Sequence, residues 1–161
     1  LEMLCEDFKP EGEIFDNFLM NTVIPYVENN FPVCTDRQNV AVCGSSSGGL
    51  MSFFSAFEHP EKFGYAGVFS PAFLCYTRED WAKYLSTKIV ENMPYLYIYT
   101  GNGDELEEMI FESTEMLYEL LEESFYPYDR MNEVILFENA HNEKSWREIF
   151  PDFLHTFLSR L

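Results

Sequence analysis

Apolar residues along the chain follow two alternating patterns, one typical of amphipathic helices and one typical of buried strands. Helical spacing covers Glu13–Asn29, the stretch from Gly49 to about Glu58, the segment after Asp104, and the region from about Ser145 onward. Short apolar runs lie between these helices at Asn39–Cys43, Ala66–Phe69, Tyr95–Thr100 and Val134–Phe137. Strands that alternate with helices predict an α/β fold, with a parallel sheet and helices on both faces.

The same patterns predict which helical side chains are buried. In the first helix the inward residues are Phe15, Phe18, Leu19, Val23, Tyr26 and Val27. In the last helix they are Trp146, Ile149, Phe150, Phe153, Leu154, Phe157 and Leu158. Because proline lacks an amide hydrogen, Pro25 is expected to kink the first helix and Pro151 to divide the last. A short helix is also predicted around Glu79–Leu85, within an otherwise irregular stretch.

Length and charge restrict the classes of protein to which the chain can belong. Its 161 residues, of which 47% are hydrophobic, predict a single folded domain over 1–161. The chain has no apolar run of about 18 residues, so no membrane-spanning helix is expected. The net charge of −18 argues against nucleic acid or an anionic membrane as a partner. Many of the acids interleave with apolar positions after Asp104 and predict a solvated helix face: Glu105, Glu107, Glu108, Glu112, Glu115, Glu119, Glu122 and Glu123.

The cysteines and the common binding motifs point to no cofactor. Cys5, Cys34, Cys43 and Cys75 form no C-x-x-C pair, which argues against zinc and thioredoxin-like sites. Cys43 is expected to be an inert thiol in the core, and a bridge between Cys5 and Cys34 stays open. The chain contains no H-E-x-x-H, P-loop or G-x-G-x-x-G motif, so neither a metal nor a nucleotide is predicted. The compartment stays open between the cytoplasm and secretion, with a soluble protein expected.

One glycine-flanked serine carries the strongest chemical signal. Ser46 is the centre of a Gly-x-Ser-x-Gly frame from Gly44 to Gly48, which follows a predicted strand and precedes a predicted helix. This context is the one that a nucleophile elbow requires, although a flexible glycine-serine loop would have the same composition. The backbone N–H of Ser47, the next residue, would then donate to an oxyanion. Ser45 and Ser47 are weaker nucleophile candidates because neither is centred between the glycines.

Two further residues follow strands in the order that a Ser-Asp-His triad requires. Asp104, with Glu105 beside it, comes after the third predicted strand, and His141 comes after the fourth. The carboxyl ends of parallel strands meet at one edge of a sheet, where catalytic groups collect. A histidine can activate the serine, and a carboxylate can orient the histidine. The sequence therefore predicts catalytic Ser46, His141 and Asp104, with Glu105 as the alternative acid. His59, at a helix end, and His155, within the last helix, fit this role less well.

These motifs resemble the esterase family of α/β hydrolases, which includes feruloyl and acetyl-xylan esterases, enterobactin esterases, S-formylglutathione hydrolase and mycolyltransferases. The resemblance rests on Asp36–Gly49, Ile24–Val27, Pro60–Phe63, Phe69–Phe73, Gly101–Asp104, and His141–Glu143 with Trp146. It implies a serine carboxylesterase that works through an acyl-enzyme, with acetyl or feruloyl groups on sugars or polysaccharides as substrate. Phe73 and Trp146 could line such a site.

The resemblance also leaves alternatives. The substrate could instead be a siderophore or an S-acyl glutathione thioester, or the chain could be a non-catalytic binding module. Family members have a bulkier residue where Ser47 stands, and they are longer at the N-terminus. The chain is therefore expected to be the C-terminal part of an α/β-hydrolase fold. A further N-terminal segment or a second chain would complete the sheet beside the elbow strand, whose edge would otherwise be exposed.

Overall fold

A four-stranded parallel sheet forms the centre of the molecule in the computed structural model, which describes residues 12–88 and 92–160. Its strands are β1 (Ala41–Ser45), β2 (Tyr65–Phe69), β3 (Tyr95–Thr100) and β4 (Met131–Ile135), in the spatial order β1-β2-β3-β4. Each neighbouring pair is parallel. The carboxyl ends of all four strands therefore lie at one edge of the sheet, as the alternating pattern predicted.

Helices follow the strands and cover both faces of the sheet. The first, α1, comprises residues 12–18, the π-helical turn Leu19–Val23 and Ile24–Asn30, and the others are α2 (Ser47–Glu58), α3 (Arg78–Lys88), α4 (Glu105–Glu123) and α5 (Glu143–Leu158). Short 3₁₀ turns occur at Arg37–Asn39, Phe73–Cys75 and Tyr128–Arg130. Among the described residues, no helix combines the length and the apolar character needed to cross a membrane.

The alternation of β3 divides the core into two clusters. Leu96 and Ile98 pack with residues of α2, α3 and α4 on one face. Tyr97 and Tyr99 pack with Ile149 and other residues of α5 on the opposite face. Every residue of β3 is buried, because helices lie on both sides of this strand. The prediction of a doubly covered sheet is therefore confirmed.

Several predicted element ends differ from the structure, and one predicted break is absent. The strand predicted at Val134–Phe137 begins earlier, at Met131, because Met131 pairs with Leu96 and so sets the register against β3. The last helix begins at Glu143, since the side chain of Asn142 accepts hydrogen bonds from the first-turn amides of Lys144 and Ser145. That helix also continues through Pro151, so the predicted break is wrong.

The structure also corrects several predictions of burial. Phe15, Phe18, Tyr26, Phe150, Leu154 and Leu158 are exposed. The first helix reaches the core through Leu19, as predicted, and through Met20 and Ile24. Cys43 is exposed as well, because β1 is an edge strand of the described sheet. Cys5, and with it the bridge to Cys34, lies outside the described residues. That a further segment completes the sheet beside β1 stays a prediction, which a structure of the full-length protein would test.

A pair of carboxylates on β4 and α4 makes stability depend on pH. Burial, followed by the hydrogen bond and charge of Glu115, raises the pKa of Glu133 from 4.5 to about 7. The folded state therefore binds a proton between these two values that the unfolded chain has lost, so stability falls as pH rises through this window. Glu133 is only partly buried, so solvent screening reduces the full linkage value of roughly 2.5 kcal/mol between pH 5 and 8. We therefore expect Glu133→Gln to remove a loss of about 1 kcal/mol, or roughly 2–4 °C in Tm.

Thermal unfolding of wild type and variant at both pH values measures this difference. Glu112, an exposed residue of the same helix as Glu115, provides the control Glu112→Gln, which should follow the wild type. An equal pH-dependent loss in Glu133→Gln and wild type would show that Glu133 is not the group responsible.

Candidate active site

Ser46 lies in a strained turn between β1 and α2. Its backbone angles, φ 57° and ψ −122°, are unfavourable for a residue with a side chain. The end of β2 holds this conformation, because Ser46 N donates to the carbonyl of Phe69 at 2.9 Å and Ser46 O accepts from Ala72 N at 3.1 Å. The structure thus has the strand, sharp turn and helix that the Gly-x-Ser-x-Gly frame predicted.

Gly44 is required by the close approach of strand and helix at this turn. A Cβ atom on Gly44 would lie 2.6 Å from the carbonyl oxygen of Gly48, well inside van der Waals contact. Any larger residue would push α2 away from β1. The glycine therefore fixes the position of the serine between the two elements.

Three side chains form a continuous hydrogen-bonded chain at the carboxyl edge of the sheet. Ser46 Oγ lies 2.9 Å from His141 Nε2, and His141 Nδ1 lies 2.7 Å from Glu107 Oε2. Glu107 is fully buried, and the side chain of His141 is 10% exposed. Ser46 is only partly buried. The structure therefore brings together two of the predicted residues, Ser46 and His141, and adds a carboxylate that the sequence analysis had placed on the solvated helix face.

Asp104 does not contact the imidazole, so its predicted position against the ring of His141 is wrong. As the N-cap of α4, it accepts a hydrogen bond from the backbone N–H of Glu107 at 2.8 Å. Its other carboxylate oxygen accepts from the backbone N–H of His141 at 2.7 Å. These two backbone bonds, that of Glu107 first, lower the pKa of Asp104 below its ordinary value. The alternative acid, Glu105, is an exposed residue of the first turn of α4.

Asp104 does not reach the imidazole because its side chain caps the N-terminus of α4. A short side chain at the N-cap folds back over the first turn to accept its free N–H groups, so both oxygens of Asp104 serve the backbone. Glu107 lies one turn further and has a longer side chain. It can reach from the inward side of α4 to the histidine loop. Asp104 thus ties the backbones of Glu107 and His141 together.

The hydrogen bonds around Glu107 favour one tautomer of His141. Glu107 Oε1 accepts from Gly101 N at 2.8 Å and from the hydroxyl of Ser70 at 2.6 Å. With two donors on Oε1, the free acceptor is Oε2, which faces His141 Nδ1. A proton on Nδ1 satisfies this contact and leaves Nε2 as an acceptor for the hydroxyl of Ser46. The arrangement is therefore suited to removal of the serine proton.

One sequence signal could have identified Glu107. It stands three residues before Ile110 and ten before Leu117, both buried on the inward face of α4. A carboxylate at an apolar helix position is unusual, because burial of an unpaired charge is unfavourable. Among the eight glutamates of this segment, Glu107 is distinguished by its helical spacing from Ile110 and Leu117, which places it on the buried face of α4.

The other two described histidines lie away from this chain of contacts. His59 is the C-cap of α2, and its Nε2 is 2.7 Å from Asp16 Oδ2. His155 belongs to the last turn of α5. Both positions agree with the expected placement of His59 at a helix end and of His155 within the last helix.

Ser47 is the exposed first residue of α2, beside an apolar cavity. The cavity has a volume of about 430 Å³, and its lining includes Phe15, Leu19, Val42 and Met51. The first N–H groups of a helix have no partner within it, and the helix dipole gives this end a partial positive charge. The start of α2 can therefore stabilise a negative charge that forms next to Ser46.

Comparison with known proteins supports an esterase assignment. The chain is 32% identical over 107 residues to an endo-1,4-beta-xylanase/feruloyl esterase of Xylanibacter ruminicola, a match that covers 66% of the chain and 13% of that protein. Among solved structures it resembles the enterochelin esterase of Shigella flexneri, with a TM-score of 0.75, 19% identity, and coverage of 89% of this chain and 36% of that one.

A ferulic acid esterase of Anaeromyces mucronatus is similar with a TM-score of 0.64 and 19% identity, over 86% of this chain and 52% of that one. The chain thus spans about half or less of the length of these three proteins. At 19% identity, the two structures show the fold, which is that of the α/β-hydrolase esterases. The profile of the family described as "Putative esterase" matches residues 5–157. The chain belongs to this esterase family.

Proposed function

We propose that the chain hydrolyses carboxylic esters through an acyl-enzyme, with Ser46 as nucleophile, His141 as base and Glu107 as the orienting carboxylate. The observation that carries this proposal is the unbroken series of contacts from the Ser46 hydroxyl to a buried carboxylate, 2.9 Å and 2.7 Å long. Serine is a weak nucleophile unless a base accepts its proton, and this geometry supplies the base.

In the proposed reaction, Ser46 Oγ attacks the ester carbonyl carbon while His141 Nε2 takes the hydroxyl proton. The resulting imidazolium is stabilised by Glu107 through Nδ1. The backbone N–H of Ser47 donates to the oxyanion of the tetrahedral intermediate. Its collapse breaks the bond to the alcohol oxygen, which receives the proton from His141. Water then attacks the acyl-enzyme by the same steps, releasing the acid and restoring Ser46.

For the substrate we propose acetyl or feruloyl groups on sugars or polysaccharides. The support is the Xylanibacter ruminicola relative, whose name couples a xylanase to a feruloyl esterase. The similarity covers two thirds of this chain at 32% identity. The siderophore hypothesis is supported by a likeness of fold at 19% identity, and the thioester hypothesis rests only on the resemblance of the sequence motifs.

The experiment combines active-site labelling with a substrate panel. A fluorophosphonate probe should label the full-length protein on Ser46, and Ser46→Ala should remove the label. Feruloylated and acetylated xylo-oligosaccharides should be hydrolysed with kcat/KM at least about tenfold above that for a catecholate trilactone siderophore or S-formylglutathione, because specificity is differential transition-state binding.

The two parts of the test separate the two parts of the proposal. Absence of label would contradict the serine mechanism and favour the non-catalytic module. Label on another residue would contradict Ser46 as the nucleophile. Labelling of Ser46 with preferred cleavage of the siderophore or the thioester would leave the mechanism intact and overturn the sugar ester substrate.

A further inference from the structure

Ser70 lies directly behind the carboxylate of Glu107, where β2 ends. It is completely buried, and its hydroxyl is 2.6 Å from Glu107 Oε1. The indole Nε1 of Trp146 lies 3.0 Å from the same hydroxyl oxygen. Ser70 therefore connects the carboxylate on α4 to an aromatic residue on α5.

The direction of both hydrogen bonds follows from the chemistry of the groups. An indole N–H can only donate, so Ser70 Oγ accepts from Trp146. The one proton of the Ser70 hydroxyl is then available for Glu107 Oε1, which accepts it. Trp146 thus orients the Ser70 hydroxyl, which in turn donates to Glu107.

The backbone of Ser70 is held in an unfavourable conformation. Its φ angle is 41°, in the left-handed region that residues with a side chain seldom adopt. The amide of Ser70 donates to the carbonyl of Tyr99 at 2.7 Å, which fixes the turn against β3. Such strain persists where surrounding contacts over-determine it, and it is concentrated at functional sites.

Besides Ser70, Trp146 also contacts the proposed base, His141. Its ring meets the imidazole of His141 edge to face, with the ring centroids 5.0 Å apart and the planes at 89°. One side chain therefore restrains His141 directly and Glu107 through Ser70. The acid and the base share this support, although Glu107 lies on α4 and His141 lies in the loop before α5.

We propose that Ser70 is a positioning residue for Glu107, oriented by Trp146, and that it keeps the carboxylate aligned with His141 Nδ1. This rests on the proposed serine esterase function. Without the Ser70 hydroxyl, Glu107 Oε1 would retain only the amide of Gly101 as a donor. The carboxylate could then rotate, and a small displacement of a catalytic group has a large effect on rate.

The test is Ser70→Ala in the full-length protein, with p-nitrophenyl acetate as substrate. We expect kcat to fall about 10- to 100-fold while KM changes little, the range typical of residues that support a catalytic group from behind. The acidic limb of the pH–kcat/KM profile should move to lower pH, because a carboxylate that has turned away from Nδ1 stabilises the imidazolium less. The far-downfield NMR signal of the His141 Nδ1 proton should also move.

Ser113→Ala is the matched control. Ser113 is a buried serine of α4 whose hydroxyl donates to the carbonyl of Ile110 within the same helix. It should keep the wild-type kcat, pH profile and NMR signal. Equal behaviour of Ser70→Ala and Ser113→Ala would overturn the proposal.

Trp146→Phe decides the question if Ser70→Ala does not fold. This variant keeps an aromatic ring at the position beside His141, although a smaller one, and removes the N–H that orients Ser70. We expect a smaller fall in kcat, of a few fold, with the NMR signal displaced in the same direction. A wild-type kcat and signal in Trp146→Phe would contradict the link to Ser70.

Ser46→Ala separates the positioning role from the proposed function. If Ser46→Ala loses activity while Ser70→Ala and Trp146→Phe keep the wild-type rate, only the positioning role is overturned. If Ser46→Ala keeps full activity, the proposed function itself is overturned.

Discussion

Ser46→Ala is expected to lower kcat for p-nitrophenyl acetate by at least on the order of 10³-fold. The variant removes the only atom that would form the acyl-enzyme, while Ser47 N–H and the start of α2 remain. The fold should be retained, because alanine and serine share the same Cβ and therefore the same strain at φ 57°. Steady-state kinetics and thermal unfolding of wild type and variant measure both effects.

The neighbouring serine offers a control. Ser45 ends β1, one residue before the elbow serine, and has no place in the proposed reaction. Ser45→Ala should keep kcat within a few fold of wild type, as expected for a residue without a named interaction in the transition state. If Ser46→Ala hydrolysed the ester as fast as wild type, the assignment of the nucleophile would be wrong.

Glu107→Gln is expected to have the second largest effect, a fall in kcat on the order of 10³-fold or more. The glutamine oxygen can keep the donors Gly101 N and Ser70 Oγ, which turns its NH₂ group toward His141 Nδ1. The ring would then carry its proton on Nε2 and could not accept one from Ser46. Stability should fall little, because the buried charge is replaced by a neutral group of the same shape.

Asp104→Asn is the matched comparison, since it makes the same chemical change at the residue that the sequence analysis favoured. Asparagine has a single acceptor oxygen, so one of the backbone bonds to Glu107 and His141 would weaken. We expect a fall in kcat below about tenfold and a loss of roughly 1 kcal/mol in stability, as for a weakened helix cap. A larger loss of kcat in Asp104→Asn than in Glu107→Gln would restore Asp104 as the acid.

The fold could be predicted from local patterns because each element carries its own periodic signal. The largely apolar run of β3 indicated a strand covered on both faces, and all six of its residues are buried. The ends of strands were harder to predict where pairing with a neighbouring strand determines them. Met131 belongs to β4 because it pairs with Leu96, and nothing in its immediate sequence indicates this pairing.

Burial was overestimated wherever the pattern identified an apolar face but not what covers it. The hydrophobic spacing of α5 includes Phe150 and Leu154, yet both are about 40% exposed. Cys43 is exposed for a similar reason. Whether β1 is a central or an edge strand depends on its neighbours in the sheet, which its own sequence does not indicate. A periodic pattern describes one chain segment, whereas coverage depends on the other elements.

The sequence by itself determined the α/β fold, the elbow that holds Ser46, and the loop that supplies His141, because each depends on a few consecutive residues and on the shared edge of a parallel sheet. Only the tertiary structure decided which carboxylate meets the imidazole. Asp104 and Glu107 are three residues apart at the start of one helix, and both could belong to a triad by order alone. The choice depends on the orientation of the first turn of α4. Backbone N–H groups of Glu107 and His141 occupy both oxygens of Asp104, while packing against the sheet directs the side chain of Glu107 inward to the imidazole of His141.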